Sequence, residues 1–378
     1  MSVIDINQSY FILPSTNILV RGYSRSIVLL LSESNYHYIP NALYEILNLH
    51  PDRTIAEIKL IYDNKFSNII EEYFISLVKR RIVFPLNFST EHKPQKFIIG
   101  HTCDKIIDNA IIEIGEKTIT NLKYLINELS ELGCEHLMLL SKGKNEKNKI
   151  YDFLVSFNNT AFRSIDLAVS WDGTEMNSFI ESFFLSQIRL FRVFIYNANE
   201  NSVNFYDKFR LKQYILSKDN ILNKCELSFQ TGFVISKSMY VDSISNNNCL
   251  GKKLIVTKDG NVKKCLLSNE VFGDITKNTL SQIISKENFW CYMNYSKDEI
   301  DVCKDCEFRY MCIDCRFRRT TQDNFSQPVF CTYNPYIAKW QSEDGWISVE
   351  QWRAENPGWE EQTIEIRDMN KKRLANND

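Results

Sequence analysis

Seven of the eleven cysteines fall into one ordered series: Cys249, Cys265, Cys303, Cys306, Cys312, Cys315 and Cys331. Ten residues separate Cys249 from Gly260, and four more separate Gly260 from Cys265. The next four thiols stand as Cys303-Lys-Asp-Cys306-Glu-Phe-Arg-Tyr-Met-Cys312-Ile-Asp-Cys315, and Cys331 closes the set. Thiols two and five residues apart re-aim the chain repeatedly at a shared point, which is what an iron–sulfur or tetrahedral zinc centre requires of its ligands. Cys103, Cys134, Cys225 and Cys291 are scattered and read as small buried apolar residues, with Cys225 and Cys291 held in reserve to complete a site. Arg309 and Arg316 lie beside ligand cysteines, where they are expected to offset thiolate charge or donate to cluster sulfurs. Asp166 sits inside a strand pattern, pointing into a site or closing a hydrogen bond at the strand end. His37, read as part of a turn, and His50, His92, His101 and His136 have no second acid–base partner nearby in sequence; structural or surface roles are expected. No phosphate-binding loop is present, so ATP chemistry would belong to a partner.

Composition narrows the chemistry. At 378 residues, 44% apolar and 13% aromatic, the chain has the material for several cores, and its net charge of −2 argues against nucleic acid or anionic membrane as a partner. No apolar run reaches membrane-spanning length, and the first residues lack the pattern of a secretory signal. The expectation is a cytoplasmic chain whose thiols serve metal binding in preference to disulfides.

The elements that must position these residues read as follows. Residues 1–88 open with short strands at Tyr10–Leu13, Ile18–Val20 and Ser26–Leu31. Three helices follow near Asn41–Leu49, Ile55–Tyr62 and Asn68–Arg80, and a strand is expected at Ile82–Phe84. Thr54-Ile-Ala-Glu57 has the form of a capping box. This order suggests a winged-helix-like module. After a polar linker at 89–96, strands and helices alternate over 97–240, which predicts a parallel sheet with too few units to close an eight-fold barrel. From Cys249 the texture changes to a hairpin around Asp259-Gly260, a helix near Thr279–Lys286 and the cysteine knuckle. A Trp-rich tail follows the cysteine-rich region of 245–340 and occupies 341–378, frayed from about 368. The expected fold is α/β: a winged-helix-like module, a degenerate partial (β/α) barrel and a C-terminal cysteine-rich domain.

The cysteine series resembles the SPASM domain of radical-SAM peptide maturases, with Cys315 one residue earlier than the family pattern. That resemblance implies two auxiliary 4Fe–4S clusters. Cys303, Cys306, Cys312 and Cys331 would hold one, and Cys249, Cys265 and Cys315 the other, whose fourth ligand is unplaced; one cluster, or one zinc, is the alternative. Residues 1–88, through Arg53-Thr-Ile-Ala-Glu57 and Arg80-Arg-Ile-Val-Phe84, resemble the PqqD-like recognition element that captures the leader of a ribosomally made precursor peptide. A DNA-binding winged helix or docking module is the competing reading for that segment.

The radical-SAM motif Cys-x3-Cys-x2-Cys is missing: between 89 and 248 only Cys103, Cys134 and Cys225 occur, no two within twenty residues. The Gly-Gly-Glu stretch of that family is replaced by Ser-Lys-Gly-Lys after Leu140. No S-adenosylmethionine site is therefore expected. The whole, including Cys331-Thr-Tyr-Asn-Pro-Tyr, is similar to the grasp-with-spasm system SPASM domain peptide maturases. The resemblance implies an accessory maturase binding a precursor leader and working with an ATP-grasp peptide ligase, with catalysis by this chain left open. Two alternatives stand beside it: a redox-active iron–sulfur enzyme or electron-transfer protein, and a structural zinc-binding interaction protein.

Overall fold

The computed structural model describes residues 6–86, 106–142, 147–157, 160, 162–171, 176–207, 209–218, 233–291, 295–313, 316 and 319–359. Cys103, Cys225, Cys315, His92, His101, the 89–96 linker, the end of the Ser-Lys-Gly-Lys stretch and the tail beyond Trp359 lie outside them. No helix among the described residues is long and apolar enough to cross a membrane.

The N-terminal segment pairs β1 (Tyr10–Ile12) with β5 (Phe84–Leu86), and builds an antiparallel sheet in the order β2 (Asn17–Arg21), β3 (Ser26–Leu30), β4 (Asn35–Ile39). β5 begins two residues later than expected, because Ile82 and Val83 are drawn into the core while Phe84 and Pro85 pair with β1. β4 is the larger correction. His37 lies mid-strand, because Ser34, with φ of 52°, turns the chain back onto β3.

Every residue of β2 and β3 is buried, since the sheet is covered on both faces. Leu19, Val28 and Leu30 face the helices α1 (Asn41–Leu49), α2 (Ile55–Ile61) and α3 (Ser67–Lys79). Their neighbours Ile18, Val20, Ile27 and Leu29 face Phe308, Tyr310, Met311 and Tyr333 of the cysteine region. Alternating side chains point to opposite faces, so two apolar faces make an unbroken apolar run. The capping box forms at α2: Thr54 Oγ1 accepts from Glu57 N at 3.2 Å, and Glu57 Oε2 accepts from Thr54 N at 2.9 Å.

The centre of the chain is a nine-stranded mixed sheet. Its strands are β6 (Asn109–Glu113), β7 (His136–Ser141), β8 (Ser164–Ser170), β9 (Leu190–Tyr196), β10 (Ser202–Tyr206), β11 (Phe209–Ser217), β12 (Lys253–Val256), β13 (Asn261–Lys263) and β14 (Gly273–Asp274). Their spatial order is β10-β11-β9-β8-β7-β6-β12-β13-β14. The run from β11 to β12 is parallel, and the flanking pairs are antiparallel. The helices α4 (Glu116–Thr120), α5 (Leu122–Glu131), α6 (Lys147–Ser156) and α7 (Met176–Ser186) make the crossovers. Ile112, Leu139, Leu167 and Val193 pack on the helical side with Leu125, Phe153 and Phe183. Ile111, Met138, Ala168 and Phe194 form a second, smaller cluster on the other face.

The hairpin around Gly260 is present, with Gly260 at φ of 84°. Its first strand β12 adds in parallel beside β6, so the cysteine-bearing region and the sheet are continuous. Beyond it come α8 (Lys237–Ser245, preceding β12), α9 (Leu280–Ile284), the pair β15 (Tyr333–Asn334) and β16 (Lys339–Trp340), and α10 (Val349–Glu355).

Candidate metal centre

The knuckle is a succession of tight turns. Cys306 N donates to Cys303 O at 3.0 Å, and Cys312 N donates to Phe308 O at 3.0 Å. Val302, at φ of 64°, sets the entry. These turns bring Cys303, Cys306 and Cys312, all part-buried, into one short stretch of chain, while Cys331 is exposed. Burial pushes the Cys306 thiol well above its ordinary value, and the nearby charges of Glu307, Cys331 and Cys303 push the same way. Cys303 and Cys331, far apart in sequence, thus both lie near enough to act on Cys306. Phe308 N donates to Cys306 Sγ at 3.4 Å, a bond that favours a thiolate over a thiol.

A second pair lies with them along the chain. Cys249 and Cys265 share a small buried cluster with Leu250, against which Leu267 and Ile313 pack. Ile313 follows Cys312 directly, so the knuckle runs from the first group to the second. Asn247 Oδ1 accepts from Cys249 N and Leu250 N at 3.0 and 2.9 Å, fixing the loop, and Leu267 N donates to Cys265 Sγ at 3.4 Å. Lys264, buried against Phe289 and Trp290, donates from Nζ to Gly251 O at 2.9 Å and so ties the two thiol-bearing segments together. Burial pulls its pKa down to about 7, with Cys291 opposing. No pattern in sequence pointed to this lysine.

The donor set fits a thiolate-ligated metal. Cys249, Cys265, Cys303, Cys306, Cys312 and Cys331 are all free of disulfides, and two of them accept backbone N–H bonds at sulfur. Cys315 lies outside the described residues. Cys134 is a satisfied core thiol, donating to Asp108 O and His136 O. Cys291, expected buried, is exposed, because it follows a short helical turn whose apolar contact is made by Phe289 instead.

The flanking arginines bond mainly to backbone. Arg309 is buried and donates to Asp298 Oδ1 at 2.8 Å, Arg21 O at 2.6 Å and Cys306 O at 2.9 Å. Arg316 donates to the carbonyls of Asn324 and Ser326. Both arginines hold loop backbone rather than donating to sulfur in these bonds. The Gly22–Arg25 turn between β2 and β3 enters the knuckle instead. Tyr23 N donates to Asp305 O at 2.8 Å, and Arg25 Nε donates to Glu307 Oε1 at 2.7 Å. Gly22 approaches so closely that a Cβ there would lie 2.9 Å from Glu307 Cβ. Residues 282 positions apart in sequence form this contact, beyond the reach of any local signal.

A separate cleft of about 200 Å³ opens at the amino ends of the parallel strands, lined by Asp108, His136, Asp166, Arg192 and Lys252 and reaching Cys249. Asp166 accepts both Arg192 bonds, at 3.1 and 2.5 Å. Burial raises the Asp166 pKa while Arg192 opposes it. His136 Nδ1 sits 2.7 Å from Ser164 Oγ. Asp108, Glu135 and His136 bring ligand atoms within 4.8 Å of one another at the rim. Ligands of parallel α/β sheets usually bind at the opposite, carboxyl ends.

Residues 248–307 match the SPASM family, an iron–sulfur cluster-binding domain. The matched span is 60 of the 378 residues. The matched span contains Cys249, Cys265, Cys303 and Cys306; Cys312, Cys315 and Cys331 follow it in sequence. Among solved structures, Streptococcus suis SuiB bound to precursor peptide SuiA aligns over 81% of this chain and 95% of its own, at 9% identity and a TM-score of 0.30. That score is too low to bear on fold or function. No curated protein matches the chain.

Proposed function

We propose that the protein is an accessory factor in the maturation of a ribosomally made peptide. In this reading residues 1–88 are a winged-helix-like leader-binding domain, 97–240 a degenerate partial barrel, 245–340 the iron–sulfur domain and 341–378 a C-terminal tail. Cys303, Cys306, Cys312 and Cys331 hold one 4Fe–4S cluster, and Cys249, Cys265 and Cys315 contribute to a second. When bound, such clusters store electrons or shape a surface. An ATP-grasp ligase would supply bond formation.

The observation that carries the proposal is the open edge of β4 beside the metal centre. No strand among the described residues pairs with its outer side. An exposed edge accepts a peptide as an added strand, with main-chain bonds giving affinity. Arg80, just past α3, lies close enough to His37 of β4 to lower that histidine's pKa, adding to the lowering from burial. The end of the closing helix therefore lies near β4.

Amide hydrogen exchange over residues 35–39, with and without a candidate leader peptide, tests peptide capture. Slowed exchange there is expected. Bound peptide with unchanged exchange at 35–39 would sink the leader-binding role. Metal analysis and EPR after anaerobic reconstitution with iron and sulfide test the clusters, and zinc alone in a silent protein would return the structural zinc reading.

A further inference from the structure

We infer that Arg25, delivered by the N-terminal sheet, is a positioning residue for the metal centre: it is the counter-ion of Glu307 beside Cys306, and it links the β4 edge to that thiol. The inference rests on the cluster and leader-binding readings and adds the side chains that join them.

Glu307 is fully enclosed: its side chain is 0% exposed, whereas that of Arg25 is 30% exposed. Its Oε1 accepts from Arg25 Nε at 2.7 Å and from Tyr333 OH at 2.6 Å. Its Oε2 is buried with no hydrogen-bond partner among the described residues. A carboxylate shut away from water and half satisfied depends strongly on its cation. Arg25 is the basic group recorded in an ion pair with it, and Arg309 of the knuckle is taken instead by Asp298.

The carboxylate belongs to the residue that directly follows Cys306 in the chain, so its enclosed charge lies beside that thiol. Any metal bound through Cys306 therefore sits in the field of the Arg25–Glu307 pair, and cluster potential follows the net charge around it. On its other side, the Arg25 guanidinium lies 3.9 Å from the centre of the Tyr38 ring. Tyr38 belongs to β4 and is 44% exposed. A strand added to β4 would cover that ring and the solvent side of Arg25, strengthening the field at Glu307. The path is four residues long: Tyr38, Arg25, Glu307, Cys306.

The test uses the full chain reconstituted with iron and sulfide, comparing Arg25→Lys, Arg25→Gln, Glu307→Gln, Arg25→Gln/Glu307→Gln and Tyr38→Ala. Iron per chain is measured first, then midpoint potential by EPR-monitored redox titration. Removing a positive charge makes reduction harder, so Arg25→Gln should shift the potential to more negative values, and Glu307→Gln to more positive ones. Arg25→Lys should stay near the parent, and the charge-balanced double variant should return toward it. Tyr38→Ala, which lets water screen Arg25, should shift as Arg25→Gln does but less. Equal potentials in the parent and Arg25→Gln at equal iron content overturn the role of Arg25. Loss of iron in Arg25→Gln without recovery in the double variant does the same, reducing Arg25 to a folding brace. An unmoved Tyr38→Ala overturns the link to β4. Zinc in place of iron in the parent ends the cluster reading. The comparison then becomes the rate of zinc release to a chromogenic chelator, expected to rise severalfold in Arg25→Gln and recover in the double variant; equal rates overturn the inference.

Discussion

At the scale of single residues, Gly22 is constrained by closeness rather than by chemistry of its own. A methyl group at Gly22 would meet Arg25 O at 2.4 Å and Glu307 N at 2.9 Å, both backbone atoms that cannot swing aside. Gly22→Ala should therefore destabilise the protein by about 1–3 kcal/mol, as other overpacked sites do, read as a lower urea midpoint. An unchanged midpoint would show that the turn is looser than its contacts imply. The thiols themselves predict a division of metal. Cys306→Ser and Cys265→Ser should each remove only part of the bound metal, because Cys306 responds to Cys303 and Cys331 while Cys265 packs with Cys249. If either substitution empties the protein, there is one centre and not two. The series of seven thiols stands out by its spacing in the sequence. Arg25 and Glu307 do not, since neither stands in a motif and the contact spans 282 positions.

At the scale of elements, local signals performed well where the chain decides locally. Thr54 and Glu57 form their reciprocal cap, and Thr279 with Gln282 forms another at α9. Thr54→Ala should cost about 0.5–2 kcal/mol, measured by thermal or urea unfolding, and no loss would mean that tertiary packing holds α2 without its cap. β4 escaped the sequence because its residues Asn35–Ile39 alternate only weakly and are mostly part-exposed. An edge strand gains its shape from its neighbour's hydrogen bonds more than from its own pattern. The docking of α10 is electrostatic and aromatic. Arg353 donates twice to Asp301, both bonds at 2.9 Å, while Trp352 stacks on Tyr336 with ring centres 4.3 Å apart. Burial alone would raise the Asp301 pKa, but the Arg353 bonds and charge, with Lys304 and Val302 N–H, bring it below its ordinary 3.8. A depressed carboxylate contributes stability above its unfolded value and loses it as pH falls through the folded one. Tryptophan fluorescence should thus report release of α10 in acid, below pH 3.8, and Arg353→Ala should move that release to higher pH. A release pH unmoved by Arg353→Ala would assign the docking to aromatic packing alone.

At the scale of the whole molecule, the N-terminal sheet and the cysteine domain share one core: Ile18, Val20, Ile27 and Leu29 close against Phe308, Tyr310, Met311 and Tyr333. Metal binding to the knuckle should consequently stabilise strands more than 250 positions away in sequence. Ligand binding to the folded form alone raises its stability by mass action. Chelator treatment should speed amide exchange in β2 and β3, and unchanged exchange there would show that the two regions unfold separately. β12 makes the same point on the other side, leaving the cysteine region to pair in parallel with β6. By itself the sequence determined the metal-binding character, through thiol spacing, and the mixed α/β class, through periodicities that repeat within a few turns of chain. Only the tertiary structure decided that the N-terminal sheet is covered on both faces, that β4 is an edge strand, and that the buried Glu307 has its counter-ion in a turn near the other end of the chain. Spacing and periodicity act over tens of residues at most, whereas a buried charge is satisfied by whichever group the fold brings within about 3 Å.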